Sequence, residues 1–448
     1  MKKITLFLAL LFTFLGFSQF NPSAPWIDSD GENLKNNEKT LTELINSFDA
    51  YWLNHDKNKK GSGYKPFMRW VEHWKNATND QGYVISAQEL WAAWEQKNQA
   101  KRNGNSASRV VPTSNWQPIG PTQNSALQST RGRGRINVIC VDPSNANTIY
   151  FGAPAGGIWK TTNSGTSWVP LFDEFPQIGV SGIAVAYDNP NIVYIATGDK
   201  DAQDSYSMGI YKSINGGVSW SQTGLTLSYA NKGLGDLVIH PTNNQILWCA
   251  TSTGIKKTID GGTTWTTATI TGSPATSFTQ GSLRLKPGNP DIIYASTATK
   301  IYKSTDAGAT FTATGTGFPF AGSGRTILDV TAANAEVVYC LKSRADNTFQ
   351  GLYKSINGGT SYLNTGLTTA GIDVFDGGTQ AWYDLALCVS QTDENEVYTG
   401  LLNVWKSSDG GATATKLNSW SSWSPNFTHA DIHFLQYFGN KFDKTYLF

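Results

Sequence analysis

Short runs of alternating apolar and polar residues fill the chain from Trp116 onwards, separated by turns of Gly, Asn and Pro. Alternation with a period of two between such turns predicts β-hairpins. One repeat holds four runs, and four antiparallel strands are typical of one blade of a β-propeller. The runs of the first repeat lie at 136–143, 148–153, 157–161 and 167–172. Later repeats begin with the same pair of runs, at 182–198, 236–251, 282–297, 330–342 and 385–400.

A nine-residue phrase follows the third run of each repeat. Its copies are KTTNSGTSW, KSINGGVSW, KTIDGGTTW, KSTDAGATF, KSINGGTSY and KSSDGGATA. The central Asn or Asp recurs every 45 to 52 residues, a period that indicates propeller blades. Its side chain can accept hydrogen bonds from its own turn, and the glycines after it allow positive φ. We therefore predict six structural turns, centred on Asn163, Asn215, Asp260, Asp306, Asn357 and Asp409.

The N-terminal part of the chain has a helical pattern instead. Apolar residues at helical spacing predict three helices, at 41–56, 64–77 and 86–102. Ser86 followed by Glu89 predicts a capping box for the third helix.

The first residues have the features of a secretory signal peptide. Lys2 and Lys3 precede an apolar run that ends at Phe17, and the small residue Ser18 permits cleavage after it. This run is too short for a comfortable transmembrane helix, so we expect no membrane span. The mature protein is expected to be a monomer, secreted or held on the outer cell surface. The predicted domains are a signal peptide at 1–18, a helical region and linker at 19–112, and an all-β propeller at 113–448.

Charge and cysteine content exclude several classes of protein. There are 35 basic and 34 acidic residues, a net charge of +1, whereas nucleic-acid binding needs a concentrated basic face. No C-x-x-C pair is present, which argues against a zinc or redox site. Each cysteine lies in an apolar run, where a free thiol behaves as a small hydrophobic group. We expect free thiols at Cys140, Cys249, Cys340 and Cys388.

The nine-residue phrase resembles the Asp-box (BNR repeat), Ser-x-Asp-x-Gly-x-Thr-Trp, of sialidase-like and sortilin-like propellers. The resemblance extends over 116–415. NWQPIGPTQN, RGRINVICVDP and FGAPAGGIWKTT are also similar to segments of secreted repeat proteins of Bacteroidetes, which often carry a sorting domain for type IX secretion. That group is related to the twin-propeller glycosidases that cleave xyloglucan. The resemblance implies a six-bladed Asp-box propeller whose repeated turns are structural.

A seventh blade begins at 429–438, with the sequence HADIHFLQYF. No third run and no seventh copy of the phrase follow before Phe448. A propeller closes on itself to remove its edge strands. We therefore expect the natural protein to continue with the rest of this blade and a sorting domain. The alternative is closure by the N-terminal segment, acting as the missing strand.

The alternating strand directions place the connections on two faces. The repeated turns share one face with the turns between first and second strands, and we name it the turn face. The loops between second and third strands share the other with the connections between blades, and we name it the loop face. Ligands are expected on the loop face, over the central channel.

An acidic loop in the second repeat is the first candidate on the loop face. Asp199, Asp201, Asp204 and Tyr206 bring hard oxygen atoms close together, as a structural calcium ion requires. The EF-hand order of ligands is absent, and a solvated acidic loop is the other interpretation.

Arginines before the first strand are the second candidate. Arg131, Arg133 and Arg135 can clamp a carboxylate or phosphate. Alternatively, they pair with acidic loops across the channel.

Two further clusters lie near the C-terminus. Trp382, Tyr383 and Asp384 offer aromatic rings beside a carboxylate, which suits a sugar-stacking platform or simple packing between blades. His429, Asp431 and His433 share one face if they lie on a strand. Two imidazoles and a carboxylate can bind a transition metal, or they can form a hydrogen-bonded cluster in the channel.

No known catalytic set is recognisable. The Phe/Tyr-Arg-Ile-Pro motif of sialidases and the G-x-S-x-G elbow are both missing. A glycosidase needs paired carboxylates in a cleft. Asp199 and Asp431 are candidates for this pair by their location alone. We expect a non-catalytic, exported propeller that binds a glycan or protein, with no cofactor beyond a structural calcium. The alternatives are a glycoside hydrolase of the Asp-box superfamily acting on polysaccharide, and a sortilin-like peptide receptor.

Overall fold

The computed structural model describes most of the helical region and most of the propeller. The described residues are 39–59, 62–76, 78–85, 87–102, 134–202, 205–227, 233–272, 275, 277–319, 323–420 and 426–438. They belong to two compact units that divide between Gln99 and Ala100. The predicted signal peptide at 1–18 and the linker at 103–115 lie outside the described residues.

The three predicted helices are α1 (Leu41–Trp52), α2 (Tyr64–Trp74) and α3 (Ala87–Arg102), and all but the last three residues of α3 belong to the first unit. A capping box begins α1, because the Thr40 hydroxyl accepts from the Glu43 amide and the Glu43 carboxylate accepts from the Thr40 amide at 2.7 Å. The rings of Phe48 and Phe67 stack 4.2 Å apart and join α1 to α2. The predicted cap at Ser86 lies outside the described residues. None of the helices in the described part of the chain is long and apolar enough to span a membrane.

The described residues of the second unit form six sheets, each with four antiparallel strands in sequence order, and one sheet has an additional parallel strand. Blade 1 contains β1 (Val138–Asp142), β2 (Asn145–Ala153), β3 (Gly157–Thr161) and β4 (Val169–Pro170). Blade 2 contains β5 (Val180–Val185), β6 (Val193–Thr197), β7 (Gly209–Ser213) and β8 (Ser221–Thr226). Blade 3 contains β9 (Leu234–His240), β10 (Asn243–Thr251), β11 (Gly254–Thr258) and β12 (Thr266–Thr267).

The remaining blades follow the same plan, with one addition. Blade 4 contains β14 (Leu283–Lys286), β15 (Asn289–Ser296), β16 (Ile301–Ser304) and β17 (Thr310–Thr314), and β13 (Thr269–Thr271) pairs in parallel with β17. Blade 5 contains β18 (Ser323–Val330), β19 (Val338–Arg344), β20 (Phe349–Ser355) and β21 (Leu363–Asn364). Blade 6 contains β22 (Ala386–Val389), β23 (Val397–Gly400), β24 (Val404–Ser407) and β25 (Thr415–Lys416).

The first strands of successive blades contact one another from β1 through β5, β9, β14 and β18 to β22. Apolar side chains fill the spaces between neighbouring blades; Leu237 of blade 3, for example, packs with Ala196 of blade 2. This arrangement confirms the prediction of a mainly β, six-bladed propeller. The four cysteines lie in described residues and are free thiols, as predicted.

The six repeated turns have one hydrogen-bonding plan. In blade 3, the Asp260 carboxylate accepts from the Thr264 amide at 2.9 Å and from the Thr258 hydroxyl at 2.8 Å. Bonds from Thr264, followed by that from Thr258, lower the pKa of Asp260 to about 2. Gly262 has φ of 92° and donates its amide to the Thr258 hydroxyl. Equivalent bonds from the residue four positions ahead occur at Asn163, Asn215, Asp306, Asn357 and Asp409.

A second repeated contact joins each blade to the next, and we name it the inter-blade lock. The Tyr194 hydroxyl and the Lys212 ammonium of blade 2 both donate to the Gly261 carbonyl in the repeated turn of blade 3, at 3.2 and 3.3 Å. In blade 6, by contrast, Tyr398 and Lys406 both contact Glu396 of their own blade. Related locks extend from Tyr150, Lys160, Trp248, Lys303 and Lys354.

The segment 426–438, where a seventh blade is predicted to begin, packs on blade 6 without forming a ladder strand. The Ile432 amide donates to the Leu401 carbonyl at 2.7 Å. Ile432 and Leu435 pack with Cys388. Asp431 has φ of 74°, a left-handed conformation that interrupts an extended strand. The described residues therefore contain six regular blades.

Candidate ligand-binding site on the loop face

The described carboxylates of the acidic loop of blade 2 are buried, which contradicts its interpretation as a solvated loop. Asp199 is completely buried, and Asp201 nearly so. The Arg135 guanidinium donates to Asp199, and the Asn137 side-chain amide donates to the same carboxylate at 3.1 Å. Arg135 therefore pairs with the acidic loop, the second of the two roles predicted for the arginines.

Asp201 joins blade 2 to two distant parts of the chain. It accepts from Arg325 Nη2 at 2.8 Å and contacts His433 Nδ1 at 3.1 Å. Burial opposes ionisation of this carboxyl, but Arg325 and His433 outweigh it and hold the pKa of Asp201 well below its ordinary value. The Asp201 carboxylate is therefore a charged anchor for the loop face.

Arg325 is the centre of this anchor. Its Nε donates to the Gln280 carbonyl at 2.9 Å, and its Nη1 donates to the Tyr383 carbonyl at 3.3 Å. Gln280 in turn donates its side-chain amide to the carbonyls of Asp201 and Trp382, both at 3.0 Å. The connections that lead into blades 4 and 6 are thus tied to the loop of blade 2.

A second ionic group lies on the first strands, farther along the channel. Asp236 accepts from Lys200 Nζ at 3.0 Å and from Arg284 Nη1 at 2.5 Å. Arg284 Nε donates to Asp329 at 2.9 Å. Burial opposes ionisation of Asp236, but Lys200 and Arg284 hold its pKa well below the ordinary value. Burial raises the pKa of Asp329.

A small polar cavity separates the two ionic groups. It has room for about 30 Å³ of water-sized occupants, enough for about two water molecules. Lys200, Asp236, Arg284, Arg325 and His433 are among the residues that line it.

Trp382 and Tyr383 have different environments, although they are adjacent. Trp382 is 40% exposed. The Tyr383 ring packs edge-on against His433, with 4.6 Å between centroids, and Arg135 lies over its face. Trp420, 43% exposed, accompanies Trp382 on the loop face, because its amide bonds to Asn403 in the loop between β23 and β24. The aromatic group therefore combines packing with an exposed indole.

Two carboxylates of the loop face share one donor. The Gln380 side-chain amide donates to Asp384 Oδ2 at 3.0 Å and also to Asp431. Asp384 is fully buried, and its Oδ1 has no partner. Burial, with repulsion from Asp431, raises the pKa of Asp384 to about 7. Asp384 therefore exchanges a proton near neutral pH.

The predicted metal set of His429, Asp431 and His433 is not assembled. His429 is exposed, with its Nδ1 against the Ala430 carbonyl, whereas His433 is buried against Asp201. The positive φ of Asp431 removes the strand alternation on which the prediction depended. Within the described ranges, no three His, Cys, Asp or Glu side chains form a metal-binding group.

Some predicted residues remain outside the site. Arg131, Arg133 and Asp204 lie outside the described residues, and Tyr206 is half-buried. The sequence patterns did not point to Lys200, Asp236, Arg284, Arg325, Gln280 and Gln380. A charged residue inside an apolar first strand, as in DLVIH and LRLK, is a signal that could have identified the channel residues of blades 3 and 4.

Comparison with known proteins finds relatives that are similar to only part of this chain. No protein-family model matches the chain. It is 31% identical over 131 residues to xyloglucanase Xgh74A of Acetivibrio thermocellus, which covers 27% of this chain and 16% of that protein. A xyloglucanase of a Paenibacillus species is 27% identical over 128 residues, covering 26% of this chain and 12% of that protein. The chain therefore spans less than a fifth of the length of these curated relatives.

Two solved structures superpose on part of this chain, and the first of them supports the propeller fold. The crystal structure of an ancestral GH74 enzyme superposes with a TM-score of 0.52 at 18% identity, covering 68% of this chain and 40% of that one. The GH74 enzyme of Niastella koreensis gives a TM-score of 0.48 at 22% identity, with coverage of 64% and 46%. The chain is thus a β-propeller with local sequence similarity to xyloglucanases.

Proposed function

We propose that this chain is an exported propeller of the glycoside hydrolase type and that its loop face binds a polysaccharide. The observation that carries the proposal is the exposure of Trp382 beside the buried carboxylates of the loop face. The local similarity to xyloglucanases supports a glycan as the ligand.

The physical basis is the mixed character of this surface. A sugar ring has an apolar face, which packs on an indole, and hydroxyl groups, which hydrogen-bond to polar side chains. Trp382 and Trp420 supply indoles, and Gln380 and Asp431 supply polar groups nearby. Rigid aromatic side chains lose little conformational entropy on binding.

The polysaccharide lies across the loop face and does not enter the channel as a whole. The cavity admits about 30 Å³, whereas pockets for whole small molecules have volumes of about 300–1,000 Å³. Two buried ion pairs, Arg135 with Asp199 and Arg325 with Asp201, also lie at the channel mouth.

Affinity electrophoresis through gels that contain xyloglucan, galactan or pectin tests this proposal. Retardation by at least one polysaccharide, weakened about tenfold by Trp382→Ala, is the expected result. Ile356→Ala is the matched control, because Ile356 is 70% exposed but belongs to a repeated turn on the opposite face. Equal retardation of wild type and W382A, or none of the wild type, contradicts the proposal.

Hydrolysis is the second candidate function, and the Asp384–Asp431 pair favours it. Glycoside hydrolysis uses one protonated and one ionised carboxyl group. Asp384, with its pKa raised to about 7, is the candidate acid, and Asp431 is the candidate base or nucleophile. Release of reducing ends from a bound polysaccharide, lost in both D384N and D431N while binding persists, is the expected result for a hydrolase. If the wild type releases reducing ends from none of the polysaccharides that it binds, hydrolysis is ruled out for them and the proposed binding function remains.

Export is part of the proposal and depends on residues 1–18 and on the resemblance to Bacteroidetes cargo of type IX secretion. Mass spectrometry of the protein from the culture medium or cell surface is expected to find an N-terminus at Gln19. Retention of Met1 in an intracellular protein contradicts export.

A further inference from the structure

We propose that polysaccharide binding at the loop face is coupled to protonation of Asp384, so that the protein binds tightly in mild acid and releases its ligand as the pH rises above neutrality. This inference rests on the proposed polysaccharide binding and adds regulation by pH at the same site. The side chain of Gln380, which bridges Asp384 and Asp431, carries it.

A single hydrogen-bonded turn holds the exposed indole of Trp382. The amides of Tyr383 and Asp384 both donate to the Gln380 carbonyl, at 2.8 and 3.1 Å, and close the turn around Trp382. The Trp382 carbonyl also accepts from the Gln280 side chain at 3.0 Å. The position of the indole therefore depends on the turn from Gln380 to Asp384.

The side chain of Gln380 joins this turn to the segment 426–438. Its Nε2 donates to Asp384 Oδ2 at 3.0 Å and also to Asp431 Oδ1, which uses both N–H groups of the amide. The segment is anchored on blade 6 through the Ile432 amide, which donates to a carbonyl in the loop after β23 at 2.7 Å. The bridge through Gln380 therefore links two parts of the loop face that are distant in the sequence.

The bridge is more stable with Asp384 protonated than with Asp384 ionised. Asp384 is fully buried, and its Oδ1 has no hydrogen-bond partner in the described part of the chain. With Asp384 ionised, two carboxylates share one neutral donor, and buried charge without a compensating partner is unfavourable. Burial, with repulsion from Asp431, raises the pKa of Asp384 to about 7. The proton is therefore held in mild acid and lost as the pH rises through neutrality.

The other charged groups around Asp384 do not replace this proton. Arg325 on β18 favours the ionised form, but its three donor nitrogens already bind other acceptors. One of these acceptors, Asp201, stays ionised in this range, because its pKa is held well below the ordinary value. On the segment that packs on blade 6, His433 contacts Asp201, and His429 is exposed. Variants of Asp384 separate its effect from that of the two imidazoles.

Loss of the proton opens the bridge. The ionised Asp384 carboxylate is repelled by Asp431 and is stabilised by water, so the turn that carries Trp382 separates from the segment 426–438. A polysaccharide that contacts both parts favours the bridged form, and its affinity follows the fraction of protein in that form. With the pKa of Asp384 raised to about 7, that fraction falls from about nine tenths at pH 6 to about one tenth at pH 8.

Affinity electrophoresis through xyloglucan, galactan or pectin at pH 6 and pH 8 tests the coupling. Mobility is compared with that in a gel without polysaccharide at the same pH, and none of the three polymers changes its charge in this range. About tenfold tighter binding at pH 6 than at pH 8 is expected for the wild type. In Asp384→Asn the two affinities are expected to be equal, because asparagine does not titrate. Asp291→Asn, at an exposed carboxylate on the turn face, is expected to keep the wild-type ratio.

Asp431→Asn provides a second test that keeps the titrating carboxyl of Asp384. It removes the neighbouring negative charge, while the new side-chain oxygen still accepts from Gln380. The midpoint of the pH dependence is expected to move to lower pH, because repulsion from Asp431 is one cause of the raised pKa of Asp384. An unchanged midpoint overturns the coupling, and this result decides the matter if D384N fails to fold.

Equal wild-type affinities at pH 6 and pH 8 overturn the coupling, and the proposed function then stands without it. A preference for acid that persists in D384N also overturns it, because another group, such as His429, then titrates. Absence of retardation by all three polysaccharides at both pH values overturns the proposed function, and this inference with it.

Discussion

At the scale of single residues, two buried carboxylates of the loop face have pKa values shifted in opposite directions. Asp201 has two basic partners, Arg325 and His433, and stays ionised. Asp384 has one neutral donor, Gln380, and a second carboxylate close by, so burial raises its pKa to about 7. The number and charge of partners, rather than burial alone, decides the ionisation of each.

The raised pKa of Asp384 predicts a measurable pH dependence of stability. Between its ordinary pKa of 3.8 and about 7, the folded protein binds more protons at this site than the unfolded chain does. Stability from this group is therefore highest in acid and falls as the pH rises towards 7. The Asp384→Asn variant has no titrating group at this site. The melting temperature of the variant minus that of wild type is therefore expected to increase by about 3 °C from pH 5 to pH 8.

Calorimetric melting at the two pH values checks this, with Asp291→Asn as an exposed control that shows no such gain. A constant difference between D384N and wild type at both pH values would show that Asp384 has an ordinary pKa.

At the scale of elements, the inter-blade lock explains how neighbouring blades stay in register. The locks of blades 1 to 4 end on the repeated turn of the next blade, so that turn is both a local structure and a docking point, whereas Lys354 of blade 5 binds Asn395 in the turn between β22 and β23. Tyr194, for example, donates to the carbonyls of Gly261 and Asn244 of blade 3. Tyr398 of blade 6 instead donates to Glu396, two residues away in its own blade.

Replacing each of these two tyrosines with phenylalanine removes the hydroxyl group and keeps the ring. The contribution of the lock is thereby measured separately from the packing of the ring. Tyr194→Phe is expected to lower the free energy of unfolding by about 1 kcal/mol, because it leaves two carbonyls of the next blade without this donor. Tyr398→Phe removes the same hydroxyl but no contact between blades, and less than about 0.5 kcal/mol is expected. Urea unfolding measures both. Equal losses would mean that the lock contributes nothing across the blades.

The sequence predicted these elements well and the site poorly, for a physical reason. The bonds of a repeated turn join residues two to four positions apart, as from Asp260 to Thr264, so a short phrase contains the whole structure. Asp201 and His433 are 232 positions apart, and Arg325 is 124 from Asp201. Only the arrangement of the blades around the channel brings them together. The alternation of 429–433 was read as a strand, but the local conformation of Asp431 prevents it.

At the scale of the whole propeller, Arg325 ties non-adjacent blades together across the channel mouth. Its three donors reach Asp201 of the blade 2 loop, Gln280 before blade 4, and Tyr383 before blade 6. Loops on separate blades thus depend on one buried cation, which positions the surface around Trp382.

Arg325→Gln is therefore expected to loosen three distant loops at once. Breaking a buried ion pair costs about 3–5 kcal/mol, because the remaining Asp201 charge stays buried. Hydrogen exchange is expected to accelerate in 198–202, 277–282 and 380–385 together. Lys286→Gln, which removes an ion pair with Glu336 at the end of β14, serves as the control. Faster exchange in 198–202 alone would show that the loops are independent.

The central claim is that the loop face binds a polysaccharide, and a hydrogen-exchange footprint tests it most directly. A polysaccharide that retards the protein in a gel is added at saturating concentration, and exchange is compared with that of the free protein. The predicted result is protection of 376–385 and 426–438, with no change in the repeated turns at 160–168 and 257–265. Protection of those turns, with exchange at 376–385 and 426–438 unaltered, would contradict the account.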